Sequence, residues 1–251
     1  MKYRSTTIKS KWEKTLWLLG SEAVSRYVPR TLPFNRSHLA IMLNQFAAVY
    51  FKPTGGSGGA NIMRIKTLKD GYELQIHARI DRYPTIDELY EQLMQRANGR
   101  SFMLQQGIDL AVSNGRPFDT RVMVQKTNDG RWHSTAIFTK IGMPDKVATN
   151  YNQGGKIGYF RQTMSEAGFD QERIKRTEEE LMMLGHSVGR IFDIYGRGFK
   201  ELGLDVALDR EGRAWILEVN TRPQFYPLKE MDDKSMYVRI LSYAKQYGRR
   251  S

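Results

Sequence analysis

The chain has no cysteine in its 251 residues, so it can form neither a disulfide framework nor a thiolate metal site. Histidine is scarce, with four in all, which argues against a zinc centre. No apolar run approaches the roughly 20 residues needed to span a bilayer. The basic N-terminus leads into Trp12–Gly20, which mixes charged with apolar residues and is too short and interrupted for a signal peptide. A cytoplasmic location is the default expectation. Internal repeats and low-complexity tracts are also absent. Acidic residues are outnumbered, and the net charge of +12 with a pI near 9.8 points to polyanionic partners. Nucleotide phosphates, acidic peptides, nucleic acid and an anionic envelope surface all qualify. The nucleic-acid reading has only charge and interspersed Tyr and Arg behind it, and no recognition motif supports it.

The apolar content of 40% is enough for a packed core, and the length suits one substantial domain or two lobes sharing a cleft. Residues 1–45 read as one or two short helices on a larger body. Strands are expected at Val49–Phe51, Ile62–Ile65, Tyr72–Ile80, Phe102–Gln106, Arg121–Gln125 and Thr135–Lys140. Thr85-Ile-Asp-Glu88 is a capping box that opens a helix to about Ala97, ended by Gly99. Asp170 caps a long helix to about Tyr195, with Ile174, Leu181, Leu184, Val188 and Ile191 on its buried stripe. A closing helix is expected at Met236–Tyr247. Strands and helices alternate irregularly with antiparallel hairpins, which favours an α+β fold over a doubly wound sheet.

The segment from Asp205 to Asn220 carries the most chemistry. Leu204–Leu208 and Arg213–Asn220 read as strands joined by a turn at Asp209-Arg-Glu-Gly212. If Leu208 pairs with Arg213, Asp205 falls opposite Ile216, and Glu218 is its diagonal neighbour at roughly 7–8 Å. Glu218 and Asn220 share a face, with Leu217 and Val219 on the other. Two carboxylates and an amide on one face suit a hard cation such as Mg²⁺, completed by substrate phosphates and water. A solvated hairpin face is the alternative.

Lys52 stands at a strand end before Gly55, Gly56, Ser57, Gly58 and Gly59. Glycines let a backbone approach phosphate oxygens, and the lysine supplies a point charge for them. The lysine precedes the glycines, so this is no P-loop; a plain hairpin tip is the alternative. Asp119 and Arg121 share one strand face, where Arg121 could hold a phosphoryl or acyl-phosphate group or simply make an ion pair. Asn150, with Gln153, Gly154 and Gly155, forms a loop able to admit a polar ligand. Gln105, Gln106, Gly107 and Ile108 could present backbone groups to an adenine edge. Arg222 and Pro223 place a cation, or merely a turn, after Asn220.

In order, these motifs resemble an ATP-grasp domain, over roughly residues 46–230. The order is Lys-Pro-x-Gly-Gly-x-Gly-Gly, Gln-Gln-Gly-Ile, Asp-x-Arg, Asn with Gly-Gly, then Asp and Glu-x-Asn. The thirteen-residue separation of Asp205 and Glu218 is similar to that in the D-alanine–D-alanine ligase branch. Gln-Gly-Ile-Asp-Leu, Phe-Asp-Thr-Arg-Val, Glu-Leu-Gly-Leu-Asp and Trp-Ile-Leu-Glu-Val-Asn resemble the endospore coat-associated YheC/YheD-type branch.

The resemblance implies two α+β lobes gripping ATP, with spore-coat association as a further expectation. The expected division is an N-terminal segment 1–45 in place of the usual N-terminal domain, a small lobe 46–106 and a large lobe 107–251. Lys52 would contact the α- and β-phosphates, Gly55–Gly59 would close over the triphosphate, and Gln105–Ile108 would face adenine. Asp205, Glu218 and Asn220 would bind one or two Mg²⁺, and Arg121 would stabilise the transferred phosphoryl. The implied activity is a carboxylate–amine ligase working through an acyl phosphate, joining an acidic carboxylate donor, with a peptide or protein as candidate, to an amine. A nucleotide-binding structural protein is the alternative. Two departures stand out: Arg36 occupies the nearest equivalent of an upstream lysine, and Gly203 stands where an arginine is usual.

Overall fold

The computed structural model describes residues 2–56, 61–143 and 155–250. The chain opens with helices α1 (Lys11–Leu19) and α2 (Glu22–Ser25), followed by strand β1 (Thr31–Pro33) and helix α3 (Arg36–Gln45). Then come β2 (Ala48–Pro53), β3 (Met63–Leu68), β4 (Gly71–Ile76), β5 (Arg79–Tyr83), helix α4 (Ile86–Ala97) and β6 (Phe102–Gln106). These strands make one antiparallel sheet in the order β1-β6-β2-β3-β4-β5. Helices α3 and α4 cover one face and bury Leu39, Met42, Leu89 and Leu93 against Val49, Phe51, Ile65, Leu74 and Leu104. Residues 31–45 therefore contribute a strand and a helix to this lobe.

The expected strand Tyr72–Ile80 is instead a hairpin. His77 adopts a left-handed backbone (φ 54°), which breaks the run between β4 and β5. Thr85 caps the helix as read: its hydroxyl accepts from the Glu88 N–H at 3.3 Å, and the Glu88 carboxylate turns back to that hydroxyl at 3.2 Å rather than to the Thr85 N–H. Asn98 (φ 45°) caps α4 and the expected Gly99 (φ 73°) follows it, both left-handed.

The second lobe contains β7 (Val112–Ser113), β8 (Arg116–Lys126), β9 (Trp132–Ile141), β10 (Lys156–Tyr159), β11 (Glu201–Leu208) and β12 (Ala214–Asn220). Its helices are α5 (Phe160–Glu166), α6 (Gln171–Tyr195) and α7 (Ser235–Gln246). The sheet runs β10-β9-β8-β11-β12, all antiparallel, with β7 paired to β8. Asp170 caps α6 by accepting from the Arg173 N–H at 2.7 Å. The α6 stripe lies on Val122, Val124, Leu204 and Val206. Alternation turns Met123 and Phe138 to the opposite face, where α7 and Phe225 cover them. Beyond the edge of that second core, the same face carries the polar site.

The hairpin register differs from the expected one. Leu208 pairs with Ala214, and a bulge after Ile216 brings Asp205 directly opposite Glu218. Plain alternation would have put Ile216 on the same face as the acids. The extra residue, Leu217, lets both Ile216 and Val219 join the core while Glu218 stays on the polar face.

Helix α1 lies at the junction of the lobes. The Lys11 N–H donates to the Thr54 carbonyl of the first lobe at 2.6 Å, and the Ile8 N–H donates to Thr221 Oγ1 of the second at 2.9 Å.

Candidate active site

Asp119 and Arg121 on β8, Lys140 on β9, Asp205 on β11, and Glu218 and Asn220 on β12 meet on one face of the second sheet. Register sets this up: Asp205 pairs with both Arg121 and Glu218, and Asp119 pairs with Lys140. Arg121 Nε donates to Asp205 Oδ1 at 2.7 Å, and Lys140 Nζ lies 2.9 Å from both that oxygen and Asp119 Oδ1. Asn220 Nδ2 donates to Asp205 Oδ2 at 3.0 Å. Burial alone would raise the Asp205 carboxyl, but Arg121 and Lys140 outweigh it and hold the group far below the usual carboxylate range. Burial likewise opposes the Lys140 charge, yet Asp119 and Asp205 leave its ammonium raised.

Gly203 must be glycine. A Cβ there would lie 2.4 Å from Pro223 Cβ and 3.2 Å from Arg121 Cδ. Pro223 and the Arg121 stem thus leave no room for a side chain at 203, and Arg121 donates from Nη1 to the Gln224 carbonyl at 3.2 Å.

The first lobe contributes Lys52. Its ammonium donates to Gln105 Oε1 at 2.5 Å, while Gln105 Nε2 reaches across to the Leu217 carbonyl at 3.5 Å. Lys52 thus faces the acidic hairpin. Burial pushes it down to about 8, with Glu218 and Asp205 among the charges that oppose the fall.

Upstream of Lys52, Lys11 rather than Arg36 reaches the acid cluster. Lys11, 7% exposed, forms an ion pair with Glu218. Lys14 is also buried and donates to the Val219 carbonyl at 2.5 Å; burial lowers its ammonium. Arg36 is 53% exposed and pairs with Asp87 at 2.6 Å on the outside of the first lobe. Sequence reading missed Lys11, Lys14 and Lys140, although a signal existed. Lys11, Lys14 and Leu18 fall on one helical stripe, and Lys140 shares its strand face with the buried Phe138 and Ala136.

Other expected residues have different surroundings. The Gln105 side chain is buried and committed to Lys52. Gln106 exchanges hydrogen bonds with Arg30: its N–H donates to the Arg30 carbonyl at 2.8 Å, and its side-chain oxygen accepts the Arg30 N–H at 3.2 Å. Gly107 donates to the Ala48 carbonyl at 2.8 Å, so close that a Cβ would collide with Ala48. Ile108 is half-buried. Gly55 and Gly56 are exposed with open space around them. Arg222 is exposed, and its guanidinium lies over the Tyr3 ring at 4.9 Å rather than in the acid cluster. Ser57, Gly58, Gly59 and Asn150, with Gln153 and Gly154, lie outside the described residues.

Two α+β lobes with a strand lysine facing a carboxylate hairpin define the ATP-grasp fold, and solved structures agree. D-cycloserine synthetase DcsG aligns with a TM-score of 0.57 at 14% identity, covering 95% of this chain and 70% of that one. N5-carboxyaminoimidazole synthase from Aspergillus clavatus, in complex with ADP and 5-aminoimidazole ribonucleotide, aligns with a TM-score of 0.57 at 11% identity, covering 95% and 52%. The chain belongs to the YheC/D-like ATP-grasp family, whose sequence profile matches residues 1–249. It is similar to the endospore coat-associated protein YheD of Bacillus subtilis (strain 168), 28% identical over a 210-residue alignment that covers 78% of this chain and 45% of YheD. It is also similar to YheC of the same strain, 23% identical over a 221-residue alignment that covers 86% of this chain and 60% of YheC. The chain thus spans roughly half the length of these relatives. No described helix is long and apolar enough to cross a membrane.

Proposed function

We propose that the chain binds ATP between its lobes and uses it to activate a carboxylate for amide formation. The observation that carries this is the placement of Lys52 and Lys11 against the Asp205–Glu218 pair. Cations for a triphosphate and acids for its counter-ion occupy one locus. The ADP named with the Aspergillus clavatus structure supports a nucleotide for this fold.

Among the described residues, no three acidic or histidine side chains gather at one point. The donor set is two carboxylates and an amide, all hard ligands, and it fits Mg²⁺ that draws further oxygens from phosphate and water. Asp205, Glu218 and Asn220 would hold the ion, with Asn220 turned to offer its oxygen. When bound, Mg²⁺ supplies charge neutralisation for the phosphates. The protein cations now on the two acids would then turn to the ligand: Lys11 to a phosphate, Arg121 and Lys140 to the transferred phosphoryl. Beside Lys11, the lobes leave a cavity of only about 10 Å³, room for roughly one water. A cation on Glu218 therefore requires Lys11 to release it.

In the reaction, an oxygen of the substrate carboxylate attacks the γ-phosphorus and ADP departs, leaving an acyl phosphate. An amine nitrogen then attacks the acyl carbon, inorganic phosphate leaves, and the nitrogen loses its proton. The protein positions the reactants and stabilises developing charge; no side-chain nucleophile is involved. The basic surface favours an acidic donor, with a peptide or protein as candidate, and the coat association of YheD and YheC supports a substrate at the spore coat.

The test is ADP release with pooled acids and amines, comparing the parent protein with Glu218→Ala. Release that the substitution abolishes supports the reading, and release that it leaves unchanged removes the metal assignment. A second reading, a nucleotide-binding structural protein, draws on the neutralisation of Asp205 by Arg121 and Lys140. It predicts stabilisation by ATP without turnover.

A further inference from the structure

We propose that Arg64 is a second anion-binding group of the same cleft, taking a phosphate of ATP alongside Lys52; this rests on the ATP-binding reading above. The face of the first sheet turned away from α3 and α4 carries Gln105, Tyr50, Arg64 and Gln75 as one row across β6, β2, β3 and β4. The alternate residues Val49, Phe51, Ile65 and Leu74 fill the core behind. Lys52 lies on the same face, two residues along β2 from Tyr50. Register makes Lys52 and Arg64 diagonal neighbours, roughly 7–8 Å apart at Cβ.

The two cations are held alike. Lys52 donates to Gln105 Oε1, and Arg64 Nη2 donates to Gln75 Oε1. The orientation of the Gln75 amide is fixed, because its nitrogen donates to the His77 carbonyl at 2.9 Å. A neutral amide oxygen aims a cation without cancelling its charge. Of the other buried cations, Lys11, Arg121, Lys140 and Arg249 pair with a carboxylate, and Lys14 donates to the Val219 carbonyl. Arg64 Nε is buried and has no partner among the described residues. Arg64 as a whole is half-buried, but an N–H sequestered without an acceptor is unfavourable, and an arriving anion relieves that cost. Two such cations, on the strands that flank the glycine-rich segment, suit a polyanion that can touch both. The guanidinium fork matches phosphate oxygens.

The test is calorimetric titration of the parent protein, Arg64→Gln and Arg64→Lys with ATP and with adenosine, in MgCl₂. Arg64→Gln keeps a polar partner for Gln75. The expected result is an ATP Kd about 10- to 100-fold weaker in Arg64→Gln, partly restored in Arg64→Lys, with adenosine binding and the unliganded unfolding midpoint unchanged. An unchanged ATP Kd would overturn the proposal, as it would if Arg64 served the substrate acid instead. Equal weakening of ATP and adenosine would assign Arg64 a structural role and also overturn it. A parent protein that binds no ATP would overturn the nucleotide reading and this proposal together; an unaffected Arg64→Gln in a protein that does bind ATP removes only the proposal.

Discussion

Lys52→Met, combined with a pH series, isolates the charge that the first lobe brings to the cleft. The Lys52 ammonium sits near 8 in the unliganded fold because burial outweighs the attraction of Glu218 and Asp205. A bound triphosphate stabilises the charged form and raises it again. ATP should therefore bind with uptake of about half a proton at pH 8 and about 0.9 at pH 9. Its affinity should fall about tenfold between pH 7 and 9. Stability runs the other way. The folded pKa lies below the unfolded value of about 10.4, so the unliganded fold binds fewer protons than the unfolded chain between about pH 8 and 10.4, and the Lys52 contribution to stability rises with pH there. Proton uptake is read by calorimetry in buffers of differing ionisation enthalpy. Lys52→Met should bind ATP about 10- to 100-fold more weakly and lose this uptake. Uptake that persists in Lys52→Met, or none in the parent protein at pH 8–9, would refute the reasoning.

Three other comparisons probe the surrounding residues. Asp205→Asn leaves buried Arg121 without its carboxylate and should cost about 3–5 kcal/mol in denaturant unfolding, with part recovered in Asp205→Asn/Arg121→Met. Gly203→Ala forces a Cβ against Pro223 and should cost about 1–3 kcal/mol, read as a lowered unfolding midpoint; no loss would mean that β11 has room to shift. Lys11→Met should weaken ATP binding at least about tenfold while Arg36→Met changes it by less than about twofold; the reverse order would return the upstream role to Arg36.

Much of the architecture could be read from periodicity and caps. The α6 stripe, its Asp170 cap and the Thr85 box are local signals, and they folded as local signals do. The acidic hairpin was legible as an element, but its register was not. Register depended on where a bulge would free Ile216 from the polar face, and a strict two-residue period hides that. The break after Ile80 was misplaced because β4 and β5 are joined through His77, a residue that does not advertise a left-handed turn as asparagine or glycine does. Lys11 was missed because it reaches the site from α1, 207 residues away from Glu218 in sequence. No local pattern encodes that contact, although a lysine on a buried helical stripe hints at one. The Gly203 departure was legible, but its cause was not: only the packing reveals that Pro223 and Arg121 crowd the position.

The central claim is that Lys52, Lys11 and the Asp205–Glu218–Asn220 trio act on a single nucleotide. A crystal structure with a non-hydrolysable ATP analogue and MnCl₂, using manganese anomalous scattering, tests it most directly. The account predicts a triphosphate between Lys52 and β12, with manganese on Asp205 and Glu218. A nucleotide bound elsewhere, or Lys11 still paired with Glu218 beside a fully bound triphosphate, would contradict it.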